Sequence, residues 1–324
     1  MFLSGNKKAV LLAIAIACSA LEVKAQSETK EVAIDFEAWV GDKEFVCGES
    51  YEGVGVNQST ITPTDFRFYV SNLALIDDSG NAVPVELEQD GRWQYQNVAL
   101  LDFEDGTGAC DNGTAELNTT VVGTVPEGDY QSLQFTMGVP QDLNHEDAAI
   151  APSPLNLTSM WWNWQGGYKF LRVDMETEQA ISNVAETSHS HGEGGDSDSQ
   201  PSIFQNGQGT HHQSGSTHQD ASSNAYLIHL GSTGCKDSAQ SNLFGCANPN
   251  RVQVVLEDFS PEDNVVIADL AELLAQSDLT TNQANTANGC MSSPDDADCM
   301  PIMQNLSLSS SNSADSEQKL FWVE

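Results

Sequence analysis

Phe66-Arg67-Phe68-Tyr69-Val70-Ser71-Asn72-Leu73-Ala74-Leu75 sets apolar side chains at alternating positions for most of its length. That is the period of a strand with one face on a core. Residues 33–40 alternate in the same way, and residues 83–87 resume after the turn-forming Asp78-Ser79-Gly80-Asn81. Residues 94–103, 130–139, 168–173, 225–230 and 252–256 are further strand candidates, punctuated by Gly106, Gly108, Asn112-Gly113 and Gly128. Only residues 265–276 have helical spacing, with Val266, Leu270, Leu273 and Leu274 on one side. Many short strands and frequent turns predict an all-β fold: an antiparallel β-sandwich or flattened barrel with disulfides and one short helix. The Ser/Asn/Asp-rich stretch from about 277 to 316 reads as loosely structured, before a last strand at 319–323.

Charge excludes some partners. Lys plus Arg number 12 against 47 Asp plus Glu, a formal net charge of −35. Phosphate binding needs clustered cations, so nucleic acid is not expected. An anionic membrane surface is excluded for the same reason.

Lys7 and Lys8 precede an apolar run at 9–21 and then Val23-Lys24-Ala25. This is the order of a secretory signal peptide, residues 1–25, with the mature chain starting at Gln26 as one domain, 26–324. A rival reading makes Cys18 a lipidated N-terminus, because Ala15-Ile16-Ala17-Cys18 weakly resembles a lipobox. The run is too short to span a bilayer and no other segment could, so no transmembrane segment is expected.

Export implies an oxidising compartment for Cys47, Cys110, Cys235, Cys246, Cys290 and Cys299. Six cysteines can pair in about fifteen ways, and sequence alone does not choose among them. Proximity favours Cys235 with Cys246 and Cys290 with Cys299, which leaves Cys47 with Cys110. Thiolate metal ligation is the competing use, but no CxxC spacing supports it.

Seven histidines fall into two groups. His189, His191, His211, His212 and His218 lie within residues 187–224, a Ser/Gly/Gln-rich stretch that cannot bury a core and reads as a disordered loop. Its imidazoles either do nothing or gather a transition metal loosely. His145 follows a strand candidate, and His229 stands within one, where histidine is ordinarily a hydrogen-bonded core residue. Three of the six tryptophans sit in Met160-Trp161-Trp162-Asn163-Trp164. In an extended chain Trp162 and Trp164 share a face opposite Trp161. Beyond core packing, such a pair could stack on sugar rings or be oxidised near a metal.

The motifs Phe45-Val46-Cys47-Gly48, Asp65-Phe66-Arg67-Phe68-Tyr69-Val70-Ser71-Asn72 and Ala99-Leu100-Leu101-Asp102-Phe103-Glu104 occur in that order. They are followed by Gly138-Val139-Pro140, Leu143-Asn144-His145, Met160-Trp161-Trp162-Asn163-Trp164, Gly167-Tyr168-Lys169-Phe170 and His229-Leu230-Gly231-Ser232-Thr233-Gly234-Cys235. Together, over about 33–267, they resemble the MbnP family, copper-binding proteins of methanobactin operons also described as a four-cysteine-motif "metallo-mystery pair" member. The resemblance implies a periplasmic protein of copper homeostasis that binds Cu(I) and is not an enzyme. It also implies a partner, a dihaem c-type cytochrome of the bacterial peroxidase class (MbnH-like), that oxidises the first tryptophan of the Trp-x-Trp motif to kynurenine. Carried onto this chain, that residue is Trp162. Soft Cu(I) favours imidazole and thioether donors, so His145 and His229 are the first candidate ligands, with Met160 and Met137 as further ones. The family's four cysteines map onto Cys47, Cys110, Cys235 and Cys246; Cys290 and Cys299 are additional.

The alternative is a secreted carbohydrate-binding β-sandwich that uses Trp162 and Trp164 as a stacking platform. Catalysis has little support: no nucleophile elbow, phosphate loop or zinc-protease motif is present. Asp65, Asp102 and Glu104 read as partners of turns or of Arg67 rather than as paired acids.

Overall fold

The structure, a computed structural model, describes residues 28–184, 223–237, 244–308 and 317–324. The expected signal peptide, Cys18 and the five histidines of the 187–224 stretch lie outside those residues. Beside two separate strand pairs, Ser182–Val184 with Thr281–Gln283 and Thr233–Asp237 with Phe244–Asn248, the described residues form two large facing sheets with no closed barrel. The smaller runs Phe321–Val323, Val266–Asp269, Thr29–Val40, Thr120–Pro126, Glu86–Leu87. The larger has as its spine Val252–Glu257, Tyr130–Met137, Ser59–Asp77, Gly167–Thr177, Ala225–Gly231 and Gly289–Cys290.

The alternation in the quoted strand has a direct outcome. Phe66, Phe68 and Val70 face the smaller sheet, where edge-to-face ring pairs join the layers. Phe36 meets Phe68 at 6.2 Å and Phe135 at 5.8 Å, and Phe321 meets the same two at 5.3 Å and 5.2 Å. Each such ring contributes on the order of 1.5–3 kcal/mol by leaving water. The other face of Ser59–Asp77 is also fully buried. Tyr69 and its neighbours Val98, Leu100, Tyr168 and Phe170 pack under Val139, Leu143, Leu155 and Met160, which form a lid of irregular chain. A strand covered on both sides keeps its polar positions from solvent, so Asp65, Arg67 and Ser71 are all wholly inaccessible.

The expected all-β sandwich with disulfides is what forms, and three details differ from the expectation. Pairing is mainly antiparallel, but Thr29–Val40 with Val266–Asp269, Ala225–Gly231 with Gly289–Cys290, and Ser182–Val184 with Thr281–Gln283 are parallel. The expected helix at 265–276 begins as the strand Val266–Asp269 and becomes helical only at Leu270–Leu274. Asp269 makes the switch: its carboxylate accepts from the Ala271 backbone N–H at 2.8 Å as an N-cap, and from Gly41 N–H at 2.9 Å. A strand buried on both faces followed by one helical turn mimics helical spacing.

The stretch 277–316 is not loose where it is described. It holds a second helix, Cys299–Asn305, and contributes Leu279, Cys290, Ile302 and Leu306 to the main core. Its polar residues satisfy backbone groups: Asn305 Nδ2 donates to the carbonyls of Glu272 (3.2 Å) and Leu273 (2.9 Å), joining the two helices. Disulfides link Cys47–Cys110, Cys235–Cys246 and Cys290–Cys299, bonds that form in oxidising compartments. Among the described residues no helix is long and apolar enough to cross a membrane.

Candidate metal centre

Cross-strand register on the lid side of the larger sheet lines up charges. Asp65 stands opposite Asp174, Arg67 opposite both Arg172 and Asp102, and Arg172 opposite His229. Arg67 donates through Nε to Asp65 at 2.9 Å and through a second, shorter bond from Nη2. Its Nη1 lies 3.6 Å from Glu104. Arg172 bridges Asp65 at 3.1 Å and Asp174, donating to the latter from Nε at 2.9 Å and from Nη2 at 2.5 Å. His229 Nε2 meets the other Asp174 oxygen at 2.6 Å.

Burial costs each of these groups its hydration, and mutual pairing restores it. It would raise Asp174, but hydrogen bonds from His229 and Arg172 outweigh it and hold that carboxyl at about 2. Burial lowers the His229 pKa, assisted by Lys169 and Arg172, against the pull of Asp174. Asp102 is pushed up to about 7 by burial, with Arg67 opposing, and its Oδ2 makes no hydrogen bond.

Ser159 ties the lid to this layer. Its carbonyl accepts from Lys169 Nζ at 2.9 Å and Arg172 Nη1 at 3.2 Å, and its hydroxyl accepts from Arg67 Nη1 at 3.2 Å. Ser159 belongs to the 3-10 turn Thr158–Met160, which leads into a hairpin of Trp161–Asn163 and Gly167–Thr177.

The tryptophans separate on this hairpin. Trp161 pairs with Tyr168 and packs on the lid core, with its indole N–H buried and unpartnered. Trp162 turns the other way and lies over Gly231, in the space a Cβ there would fill. The extended chain ends at Asn163, whose Oδ1 accepts from the Gln165 and Gly166 N–H groups at 2.9 Å each. That curl puts Trp164 in the turn, 58% exposed, rather than on a flat strand continuing the face of Trp162. The two-ring platform expected from extended spacing is therefore not built by a continuous strand.

Trp162 walls an open cavity of about 380 Å³ with Gln165, Thr233, Cys235 and Met291 among its other lining residues. Behind Cys235 stands its disulfide partner Cys246, directly opposite on the antiparallel pair Thr233–Asp237 and Phe244–Asn248. His145 closes the group: its Nε2 is 3.4 Å from Cys246 Sγ and 3.2 Å from Asn144 Nδ2, and its Nδ1 is 3.2 Å from the Trp164 carbonyl. His145 Nε or Nδ and both sulfurs lie within 4.8 Å of one another. Burial lowers the His145 pKa, which favours the neutral ring that metals bind.

The fold thus gathers His145, Trp162, Trp164, Cys235 and Cys246 at one place. His229 is two residues from Gly231 on the same strand face, but its Nε2 is committed to Asp174. Met137 is wholly inside the main core and Met160 inside the lid core, where both act as filler. Met291 reaches the Trp162 cavity and escaped the sequence reading. Only its place beside the disulfide residue Cys290 could have signalled it.

The family model for MbnP matches residues 29–292. Among solved structures, MbnP from Methylosinus trichosporium superposes with a TM-score of 0.71 at 29% sequence identity, covering 91% of this chain and 98% of that one. Comparison with curated protein sequences returned no match. With its fold, its disulfides and the match over most of its length in agreement, the chain belongs to the MbnP family.

Proposed function

We propose that the chain is a periplasmic Cu(I)-binding protein of copper homeostasis, associated with methanobactin, and that it becomes competent when Trp162 is oxidised to kynurenine. The oxidant is a dihaem c-type cytochrome of the bacterial peroxidase class; the chain itself is the substrate of that reaction and not an enzyme. The observation that carries this reading is the position of Trp162, half-exposed in the wall of an open cavity and seated against Gly231. A partner can reach it there, and its product would face other donors.

Opening the indole is a four-electron oxidation. Two peroxides supply the two oxygen atoms added across C2–C3 and leave as two waters; hydrolysis then releases C2 as formate. An aryl amine and a ketone remain where a weakly polar ring had been.

The residues present suit a soft, singly charged cation. Burial lowers the pKa of both imidazoles; His145 meets the Trp164 carbonyl through Nδ1 and Asn144 and Cys246 through Nε2, and His229 meets Asp174 through Nε2. Such outer partners fix the tautomer and orientation of a ligating ring. Met291 supplies a thioether in the cavity wall, the part that Met160 and Met137 cannot play from inside the cores.

The test is peptide mass spectrometry with metal analysis of protein produced alongside its haem partner. The expected result is kynurenine at 162 and stoichiometric Cu(I). Intact Trp162 with no copper would remove the reading.

A further inference from the structure

The Cys235–Cys246 disulfide differs from the other two in its surroundings. Cys110, Cys290 and Cys299 are buried, so each of the other pairs has at least one half enclosed by the fold. Neither Cys235 nor Cys246 is buried. Cys235 lines the open cavity beside Trp162, and Cys246 faces the His145 ring at 3.4 Å. Disulfides accessible to an attacking thiolate are the exchangeable ones, whereas enclosed ones are structural.

The donor spacing is also informative. A tetrahedral cation with about 2.3 Å to sulfur and about 2.0–2.1 Å to imidazole nitrogen separates those donors by roughly 3.6 Å. The Nε2 to Sγ distance of 3.4 Å is already close to that value. Two sulfurs released from their mutual bond move apart to van der Waals contact, toward the separation that two ligands of one ion require. A disulfide sulfur is a poor donor and a thiolate a strong one, so the electronic state of this pair decides whether the cluster can hold metal.

We propose that Cys235–Cys246 is a redox-gated metal site: an external dithiol reduces it, and the two thiolates together with His145 then bind a thiophilic d10 cation, Cu(I) or Zn(II). The reductant class is an exported dithiol protein. Its thiolate attacks Cys235 from the cavity, the S–S bond breaks, and Cys246 leaves beside His145. The second thiol of the reductant then displaces Cys235. The reductant leaves as a disulfide, having given up two electrons and two protons, and the chain holds two thiols. Metal binding releases both protons. This proposal concerns sulfur that is available only after reduction, so it does not rest on modification of Trp162.

The experiment uses the mature chain, residues 26–324 with its six cysteines, produced without the haem partner, so that Trp162 stays intact and the copper reading contributes nothing. Graded dithiothreitol followed by thiol mass-tagging should label Cys235 and Cys246 while the other four cysteines remain bonded. At that point chelator competition with Cu(I) under argon, and separately with Zn(II), should show one additional equivalent of at least one of the two metals relative to the oxidised chain. The His145→Ala variant should weaken this binding by at least about tenfold. The Cys235→Ser/Cys246→Ser double variant, checked for an unchanged circular dichroism spectrum, should abolish it. Simultaneous labelling of all six cysteines, no gain of either metal on reduction, or unchanged affinity in His145→Ala would each overturn the proposal.

Discussion

Two ring carbons of Trp162 lie 2.5 Å and 2.9 Å from where a Cβ on Gly231 would stand. No real Cβ tolerates that approach, so the absence of a side chain at 231 is what seats the indole in its cavity.

Gly231→Ala should therefore push Trp162 outward and also crowd the Tyr168 carbonyl, 2.6 Å from the same point. The expected cost is about 1–3 kcal/mol of stability from overpacking. Tryptophan fluorescence should shift to the red, and the yield of kynurenine at 162 should change. A variant matching the parent in both denaturation and emission would contradict the seating.

Asp102 should leave a signature in the pH dependence of stability. Its folded pKa, about 7, lies above the unfolded value, so between roughly pH 4 and pH 7 the folded chain binds the extra proton. Stability from this group therefore falls as pH rises through that window. Asp102→Asn removes the titration. Relative to the parent, the variant should gain about 2–4 kcal/mol between pH 4 and pH 8. Parallel curves for parent and variant would show that the carboxyl titrates normally.

Asp174 acts in the opposite direction. Held at about 2, it contributes stability that is complete above pH 4 and lost as pH falls toward 2. Asp174→Asn should flatten acid denaturation in that range. Because it leaves Arg172 short of a counter-charge, it should also cost about 3–5 kcal/mol at pH 7, read from urea midpoints.

Cys47–Cys110 closes a loop with a sequence separation of 63. Loop-closure entropy for that length predicts a loss of about 4 kcal/mol in the Cys47→Ala/Cys110→Ala variant. A change in chemical denaturation midpoint much smaller than this would mean that the reduced chain keeps the two segments together.

The strand content was legible because alternation over residues 33–40 and 66–75 reflects a real pleat against a shared core. What alternation could not reveal was that the second face of Ser59–Asp77 is buried too. A row reading Asp65, Arg67, Tyr69, Ser71 looks like a solvated face until the lid from Val139 to Met160 is in place. The polar composition of residues 277–308 misleads for a related reason. Asn282, Ser292, Asp296 and Asn305 are polar yet buried, each spending its hydrogen bonds on backbone that composition does not display. The family motifs bring His145, Trp162 and the cysteines into view one by one. Their meeting depends on a hairpin turn at Asn163 and on the antiparallel pair carrying Cys235 and Cys246, neither of which has a sequence period.

Ser159 has a consequence for motion. Three cations from two neighbouring strands converge on one residue of a short 3-10 turn, and its two oxygens act as the latch of the segment carrying Trp161 and Trp162. The sandwich beneath is closed by aromatic rings that do not respond to pH. Lys169, lowered to about 8 by burial with Arg172 adding to the effect, loses its charge in mild alkali, which weakens its bond to the Ser159 carbonyl. The segment from Thr158 to Asn163 can then open as its own cooperative unit while both sheets, the strand Gly167–Thr177 included, stay folded. Hydrogen exchange at Trp161, whose N–H donates to the Thr158 carbonyl, should accelerate above pH 8 beyond the intrinsic chemical rate, with Phe68 and Val70 still protected.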